Sequence, residues 1–440
     1  MHNNIIIMLK IFLKHLKNNN VLLYTAIGML FLQGSNFVSG VLLARYLPTS
    51  DFGKFQLLVS LVTSTAIVAK IGLDEGYVYY LPKIRKTGVN EKIFSIYTLL
   101  VTLIISAIIG LLIYLFSEPL NKIVLRNIEF SYELNIFGIY LCSFVLFTMS
   151  ASILRGLEFF NFRAFIVYYF NPIFFLAIIA ILIVLNGSLK VIQVYSFKIV
   201  VLFVVGLIGY GYIFHKLSAK SKVYSLNFSI LKKYHLFSIS LIFLTLIEFL
   251  AEQPTIDLLI LANLKSAESV GIYAANYKIA FLLFIPYLAF QVIYVSKFSN
   301  LYTNGEFEEL KQLYKSTRKK MFYISLVLVI FLILVYDFLI QLFGAQYKEG
   351  KVIFIILSIG FSFFSMNGLN NLMFIVSNKK RILALLDFLF ILLLILLGYL
   401  LVSLLGIEGM AYSDTILFIL FTCIKRFAIK KANVLKVEVN

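Results

Sequence analysis

The chain consists largely of long apolar runs, each close to the length that crosses a lipid bilayer as one helix. A hydrocarbon core about 30 Å thick needs about 20 consecutive apolar residues in helical conformation. We identify twelve such runs, which lie at 21–44, 53–71, 93–116, 134–154, 164–186, 191–213, 236–262, 270–294, 321–342, 352–376, 382–405 and 409–424. In lipid only helices and closed barrels satisfy their backbone groups, so the pattern predicts an all-α membrane protein of about 12 transmembrane helices.

The overall composition favours the same class. Hydrophobic residues make up 61% of the 440 residues and charged residues 14%, whereas soluble domains are nearer half apolar and a quarter charged. Cys142 and Cys423 lie in apolar runs, where we expect small buried hydrophobes with no disulfide or metal role. The longest inner connection, 295–320, predicts only a short amphipathic helix, so the chain has no room for a soluble catalytic domain.

The positions of the basic residues indicate the membrane topology. With the N-terminus placed inside, the inner segments hold 29 of the 39 Lys and Arg residues, the outer loops hold 8, and Lys198 and Lys278 lie within spans. Cytoplasmic loops carry such an excess, so both termini are predicted to be cytoplasmic. The net charge of +18 is therefore a result of topology and does not indicate a nucleic-acid partner.

The first 20 residues are predicted to lie on the cytoplasmic surface of the membrane. Lys10, Lys14 and Lys17 fall at helical spacing, and no small-residue cleavage site follows the apolar residues. A signal peptide would place its positive charge before the apolar region. Residues 1–20 are therefore expected to form an amphipathic segment.

Two pairs of short motifs recur at nearly the same separation. "LPTSDFGKF" and "LKSAESVGIY" lead into spans 2 and 8 and place Gly53 and Gly271 218 residues apart (271 − 53). "NGSLKVIQVYS" and "LLGIEGMAYS" lead into spans 6 and 12 and place Tyr195 and Tyr412 217 residues apart (412 − 195). An offset of six spans preserves orientation, so the sequence predicts two parallel-repeat six-helix lobes around a central cavity.

The lobes define the expected domain organisation. The N-lobe (spans 1–6) is predicted at 21–220 and the C-lobe (spans 7–12) at 221–426, followed by a basic cytoplasmic tail at 427–440.

Three segments carry a resemblance to a known family. "GVLLARYLPTSDFGKFQLLVS" (40–60), "AKIGLDEGYVYYLPK" (69–83) and "IDLLILANLKSAESVGIYAANYKIAFLL" (256–283) resemble the polysaccharide-transporter branch of the MOP superfamily. That branch contains the O-antigen and oligosaccharide flippases and is related to lipid II flippases and multidrug exporters. The resemblance implies a bundle that moves undecaprenyl-diphosphate-linked oligosaccharide from the inner to the outer leaflet of the bacterial cytoplasmic membrane. It also implies membrane lipids and polysaccharide polymerase or assembly proteins as partners.

An anionic diphosphate head group would need cations in a water-filled cavity. Lys198 and Lys278 each lie about eight residues into a span, a depth at which a lysine faces the bundle interior or a cavity. Arg45 and Lys70 lie at the outer end of span 1 and the inner end of span 2. For Arg45 and Lys70 the alternative is an interfacial anchor, and for Lys278 a structural ion pair.

Span 7 contains three carboxylates and a proline. The stretch "EFLAEQPTIDLLIL" places Glu248 and Glu252 on one helical face, and Pro254 is expected to kink the helix before Asp257. A broken helix with carboxylates and freed carbonyls is the kind of site that binds coupling Na⁺ or H⁺ in transporters.

Two further acids, Asp387 and Asp414, lie in spans 11 and 12. Spans 7, 11 and 12 of the predicted C-lobe thus hold five membrane carboxylates, against the single lysine Lys278. We predict ion or proton coupling there, with a candidate Na⁺ site near Asp257, Asp387 and Asp414. The alternative is a wholly structural network. No other cofactor is expected.

Other functions remain open at this stage. A multidrug or cation antiporter of the same superfamily would share the lobes and the acids. A membrane glycan polymerase would carry one long outer loop, and a glycosyltransferase would carry clustered loop acids, of which "LDEG" (73–76) is the only weak instance. A channel is disfavoured because the chain has no filter-like repeat. The sequence has no phosphate loop, zinc spacing or nucleophile–His arrangement, so we do not expect an enzyme.

Overall fold

The protein folds as a bundle of long helices. The computed structural model describes residues 20–86, 90–126, 128–217 and 228–431. This part of the chain contains twelve helical stretches that are long and apolar enough to cross a membrane, one for each predicted span. It contains no β-strand. The prediction of a twelve-span all-α membrane protein is therefore confirmed.

We number the helices in chain order. The first nine are α1 Asn20–Tyr46, α2 Thr49–Ala69, α3 Leu73–Lys86, α4 Glu91–Leu115, α5 Ser117–Ile123, α6 Ser131–Gly156, α7 Phe160–Ala164, α8 Asn171–Asn186 and α9 Val191–Lys216. The remainder are α10 Phe228–Glu252, α11 Thr255–Leu264, α12 Ala267–Phe281, α13 Ile285–Thr303, α14 Phe307–Phe343, α15 Lys351–Val376, α16 Lys380–Leu405 and α17 Ile407–Lys431. A π-helical turn at Phe165–Phe170 joins α7 to α8, and 3₁₀ turns at Leu282–Phe284 and Ala345–Gly350 precede α13 and α15.

The chain after span 2 is helical, although the sequence predicted a loop there. Ile71 and Gly72 have positive φ angles of 48° and 66° and turn the chain into α3. A Cβ atom on Gly72 would lie 2.2 Å from the carbonyl oxygen of Ser238, so this close approach to α10 requires glycine. Helix α3 is amphipathic and rich in charged residues. It therefore contains no apolar run of the length that predicts a span.

The ninth span is longer than predicted. Helix α14 runs without a break through 37 residues, about 55 Å at 1.5 Å per residue. The short amphipathic helix that we predicted within 295–320 is therefore not a separate element, and its second half is the first part of α14.

Packing divides the chain into two compact units. The contiguous unit comprises residues 41–274, and the split unit comprises residues 1–40 together with 275–440. Most of span 1 thus belongs with spans 8–12, and span 7 belongs with spans 2–6. The lobes at 21–220 and 221–426 divide the chain differently and stay a prediction.

Span 7 is attached to α3 inside the contiguous unit. The Tyr234 hydroxyl donates to the Leu73 carbonyl at 3.0 Å, and the Tyr80 hydroxyl donates to the Lys233 carbonyl at 3.2 Å. The Tyr79 and Phe237 rings stack with centroids 4.4 Å apart. These contacts hold the start of α10 against α3.

Some terminal predictions fall outside the described residues. The predicted N-terminal segment at 1–20 lies outside them except for Asn20, and this includes Lys10, Lys14 and Lys17. Of the predicted tail, residues 427–431 continue α17 and the others are not described.

Cys142 is half-buried and Cys423 is exposed, and both are free thiols. The expected burial of Cys423 was therefore wrong, because an apolar span exposes one face to lipid.

Candidate functional site: charged side chains in the membrane-spanning helices

Lys278 lies on α12 and extends across α1 in the split unit. A Cβ atom on Gly40 would lie 3.0 Å from Lys278 Cδ and 3.7 Å from its Nζ. The absence of a side chain at Gly40 therefore leaves room for the lysine stem. Among the described residues of the split unit, no carboxylate pairs with Lys278; the ion pairs there involve other lysines.

The other three predicted cations belong to the contiguous unit and differ in their surroundings. Lys198 Nζ lies 4.1 Å from the centroid of the Phe175 ring, a cation–π contact. Lys70 Nζ lies 2.5 Å from Asp74 Oδ2, four residues further along the chain and beyond the turn into α3. Arg45 is exposed near the end of α1. The 21-residue helix α2 separates Arg45 from Lys70 by about 30 Å, so these two cations do not share a site.

Span 7 is broken where the sequence predicted a kink. Helix α10 ends at Glu252, and α11 begins at Thr255 after Pro254. The Ser60 and Thr255 hydroxyls are hydrogen-bonded at 2.8 Å, which fixes the start of α11 against α2. Asp257 follows in the first turn of α11, with 4% of its surface exposed.

The other end of α11 is also anchored. The Asn263 side-chain amide donates to the Ile123 and Val124 carbonyls at 3.2 and 3.0 Å. Glu248 and Glu252, on α10, are half-buried. The break therefore separates two half-buried carboxylates from one buried carboxylate within a single span.

Asp387 has a partner that the sequence analysis placed outside the membrane. Lys425 Nζ lies 2.6 Å from Asp387 Oδ1 and donates to Asn371 Oδ1 at 2.7 Å. Lys425 was assigned to the inner tail because span 12 was predicted to end at 424, whereas α17 continues to Lys431. The count of five carboxylates against one lysine was therefore wrong.

Asp387 and Asp414 do not form one ion site. Asp414 is 1% exposed and lies on α17 eleven residues before Lys425, about 16 Å along the helix axis. A shared cation would need both carboxylates within about 2.6 Å of one point. The described residues also contain no group of three or more His, Cys, Asp or Glu side chains that could hold a metal ion. Asp387 and Asp414 therefore do not share a cation, and the proposed Na⁺ site near Asp257, Asp387 and Asp414 stays a prediction.

The adjacent acids of "LDEG" are both engaged in ion pairs. Asp74 pairs with Lys70, and Glu75 Oε1 lies 2.6 Å from an Arg155 guanidinium nitrogen. These contacts join α3 to the ends of α2 and α6. The acids that the glycosyltransferase alternative would need therefore have a structural role.

Two buried polar groups were missed by sequence reasoning. Glu133, 3% exposed in the first turn of α6, accepts a hydrogen bond from the Tyr195 hydroxyl at 3.0 Å. On α15, Asn370 accepts a hydrogen bond from the Tyr314 hydroxyl at 2.5 Å and donates to the Thr422 carbonyl at 3.2 Å. The signal in the sequence was three asparagines within the five residues 367–371 of an apolar span, since polar side chains at that depth need partners.

The family can be identified from the sequence. The sequence model of a family described as "Polysaccharide biosynthesis protein" matches residues 19–294, which is more than half of the chain. The chain belongs to this polysaccharide biosynthesis protein family. The resemblance in the three motif segments is thereby confirmed. A search of curated protein sequences finds no match.

Solved structures agree on the fold of this family member. An inward-facing multidrug resistance MATE transporter of the MOP superfamily superposes with a TM-score of 0.76 and 17% identity, over 93% of this chain and 99% of that chain. An outward-facing MATE transporter gives 0.59 and 18%, over 93% and 95%. A MOP superfamily transporter from Pyrococcus furiosus, whose description reports a binding pocket of reversed polarity, gives 0.61 and 17%, over 95% and 96%. The protein is thus a multi-pass membrane protein whose fold is that of the MOP superfamily transporters.

Proposed function

We propose that the protein is a flippase that moves undecaprenyl-diphosphate-linked oligosaccharide from the inner to the outer leaflet of the bacterial cytoplasmic membrane by alternating access. The family description supports a substrate from polysaccharide biosynthesis, and the MOP fold supports transport. Both termini would be cytoplasmic, as the positive-inside count predicts. Membrane lipids and polysaccharide polymerase or assembly proteins would be its partners.

The observation that carries the proposal is the placement of Lys278. A lysine inside a membrane-spanning helix is costly unless it has a counter-charge or water. Lys278 has no carboxylate partner among the described residues of its unit, so it is available to an anionic ligand. A diphosphate supplies two or more negative charges at the point where the lipid joins the glycan.

The other cations fit this role unequally. Lys198 lies over the Phe175 ring in a cation–π contact, and Arg45 is exposed. Both would assist head-group binding. Lys70 already pairs with Asp74 at 2.5 Å, which makes it the weakest of the four candidates.

The broken span 7 is the candidate for ion or proton coupling. Glu248, Glu252 and Asp257 lie on the two sides of the break at Pro254, where a change in protonation or cation occupancy would alter the packing of two short helical segments. Asp414 is a further candidate because it is buried in α17. H⁺ is the simpler coupling ion, since the described residues form no multi-carboxylate metal group.

Flipping in proteoliposomes tests the proposal. A fluorescent undecaprenyl-diphosphate oligosaccharide would be placed in one leaflet, and its movement compared for wild type, Lys278→Met and Lys278→Arg. We expect Lys278→Met to abolish movement and Lys278→Arg to retain part of it. Lys351→Met is the matched control, since Lys351 lies in an exposed pair with Asp337. Normal flipping by folded Lys278→Met would refute the head-group assignment.

The coupling assignment needs its own comparison. Wild type and Asp257→Asn would be assayed with and without Na⁺ and pH gradients. Loss of the gradient response of flipping in Asp257→Asn supports coupling at the break. If neither the gradients nor the substitution changes the flipping rate, these carboxylates have a structural role.

A multidrug or cation antiporter is the second candidate, because two of the similar structures are multidrug resistance MATE transporters. Gradient-driven export of a cationic dye, with no movement of the lipid-linked sugar, would favour it. In that case the positive charge of Lys278 would repel a cationic substrate and would not bind it.

A further inference from the structure

The split unit contains a buried site in which a lysine ammonium takes the place that a free cation could occupy. Lys425 Nζ lies 2.6 Å from Asp387 Oδ1 and 2.7 Å from Asn371 Oδ1. The side chains of Lys425 and Asp387 are 3% and 4% exposed. A carboxylate oxygen and an amide oxygen, facing one point inside a protein, are ligands that Na⁺-like hard cations prefer.

Three helices meet at this point. Asp387 is on α16, Asn371 on α15 and Lys425 on α17. One turn along α16 and α17, the Phe390 and Phe421 rings pack edge to face with centroids 5.3 Å apart. This aromatic contact leaves little access for water on that side.

Two nearby polar side chains, Asn370 and Thr422, make hydrogen bonds to groups other than Asp387. Asn370 pairs with the Tyr314 hydroxyl and the Thr422 carbonyl. The Thr422 hydroxyl donates to the Phe418 and Phe363 carbonyls. The charge on Asp387 is therefore balanced by Lys425.

A buried carboxylate without a counter-charge is strongly destabilising. The site must consequently hold a positive charge whenever Asp387 is ionised. An ammonium attached to the chain meets this need at every salt composition and cannot leave with the substrate.

We propose that Lys425 is a tethered cation that permanently fills the Asp387–Asn371 site and excludes Na⁺ from it. Lys425 is then a positioning residue that holds α15, α16 and α17 together. Any ion exchange takes place elsewhere in the protein. Removal of the lysine side chain should expose a cation site that small cations can enter. The inference does not depend on the transported substrate.

Thermal unfolding of the full-length protein in detergent tests this inference. Unfolding midpoints would be compared in NaCl and in choline chloride at equal ionic strength, with and without methylammonium or ethylammonium. The variants are Lys425→Ala and the charge-neutral pair Asp387→Asn/Lys425→Met. Lys351→Ala is the matched control, since it removes a lysine from a pair that is 44% and 51% exposed.

Lys425→Ala should unfold at a lower temperature than wild type in choline and regain about 2 °C or more in Na⁺ or a small alkylammonium. The Asp387→Asn/Lys425→Met variant should show no such recovery, and Lys351→Ala should respond to salt as wild type does. A Na⁺-specific rise in wild type that disappears in the charge-neutral pair would overturn the proposal. The proposal would also be overturned if Lys425→Ala folds and its unfolding midpoint is the same with and without every small cation.

The wild-type comparison is decisive even if Lys425→Ala does not fold. Absence of a Na⁺ effect in wild type, or a Na⁺ effect that persists in the charge-neutral pair, supports a filled site at Asp387. A transport measurement adds a second readout. The Na⁺ response of flipping should be the same in wild type and in the charge-neutral pair.

Discussion

Gly53 and Gly271, which hold equivalent places in the two predicted repeats, lie against each other where α2 meets α12. A Cβ atom on Gly53 would lie 2.0 Å from the Ala267 carbonyl oxygen and 2.8 Å from the Gly271 nitrogen. A Cβ atom on Gly271 would lie 2.3 Å from the Thr49 carbonyl oxygen. This contact explains why the sequence has a glycine at both positions.

The first prediction concerns this contact. Gly53→Ala should lower the free energy of unfolding by more than about 2 kcal/mol, since overpacking typically costs about 1–3 kcal/mol and here the obstacle is backbone. Chemical or thermal unfolding of the purified protein measures the change. Gly211→Ala is the control, because Gly211 is in α9 with nothing within 4 Å of its would-be Cβ. That substitution should be neutral or stabilise by up to about 1 kcal/mol. Equal stabilities of the two variants would contradict the contact.

The second prediction concerns the buried carboxylate of Glu133. Tyr195→Phe removes the hydroxyl that donates to Glu133 Oε1 at 3.0 Å and should destabilise by about 1–3 kcal/mol, the cost of leaving a buried acceptor unsatisfied. Tyr132→Phe is the control, because Tyr132 is 42% exposed and stacks on Tyr195. Its unfolding free energy should change by less than about 0.5 kcal/mol. If the two variants unfold alike, the hydrogen bond has no energetic role.

The third prediction concerns Asn276, which links three elements of the split unit. Its side chain donates to the Tyr347 carbonyl at 3.2 Å and accepts from the Tyr336 hydroxyl at 2.9 Å. Asn276→Ala removes both hydrogen bonds and should cost about 2–4 kcal/mol, whereas Tyr336→Phe removes one and should cost about 1–2 kcal/mol. Chemical unfolding of the two variants measures which one loses more free energy of unfolding. A larger loss in Tyr336→Phe would place the stabilisation in the tyrosine and not in the asparagine.

The fourth prediction concerns the break in span 7. Pro254→Ala restores a backbone N–H at the position where α10 and α11 are interrupted, and a continuous helix becomes available. We expect flipping to fall several-fold while the unfolding midpoint changes little. Pro119→Ala, in the short exposed helix α5, should leave flipping unchanged. Full activity in Pro254→Ala would mean that transport does not need the break.

The sequence was sufficient for the number and approximate position of the spans, because lipid imposes a length on every apolar helix. It was also sufficient for the break at Pro254. The predicted helix ends were less accurate where a helix extends past its apolar run into charged residues, as α14 and α17 do. Lys425 was counted as a tail residue, and the first part of α14 was read as a separate amphipathic element.

The partners of the charged residues could not be predicted. Depth along a span says nothing about which neighbour a side chain faces, so Asp387 was grouped with Asp414 when its partner is Lys425. Glu133 was not considered, because a single acid at a span boundary is ordinary in sequence. The grouping of span 1 with spans 8–12 depends on tertiary packing and leaves no local pattern.

That grouping has a consequence for how the protein is made. Residues 41–274 form one unit from consecutive sequence, so they can assemble while the ribosome is still adding later spans. Phe37 of α1 instead packs against Phe343, which follows it by 306 residues (343 − 37) and emerges roughly 15–60 s later at about 5–20 residues per second. During that interval α1 lies in lipid without this partner, and the split unit closes only after Phe343 has been synthesised.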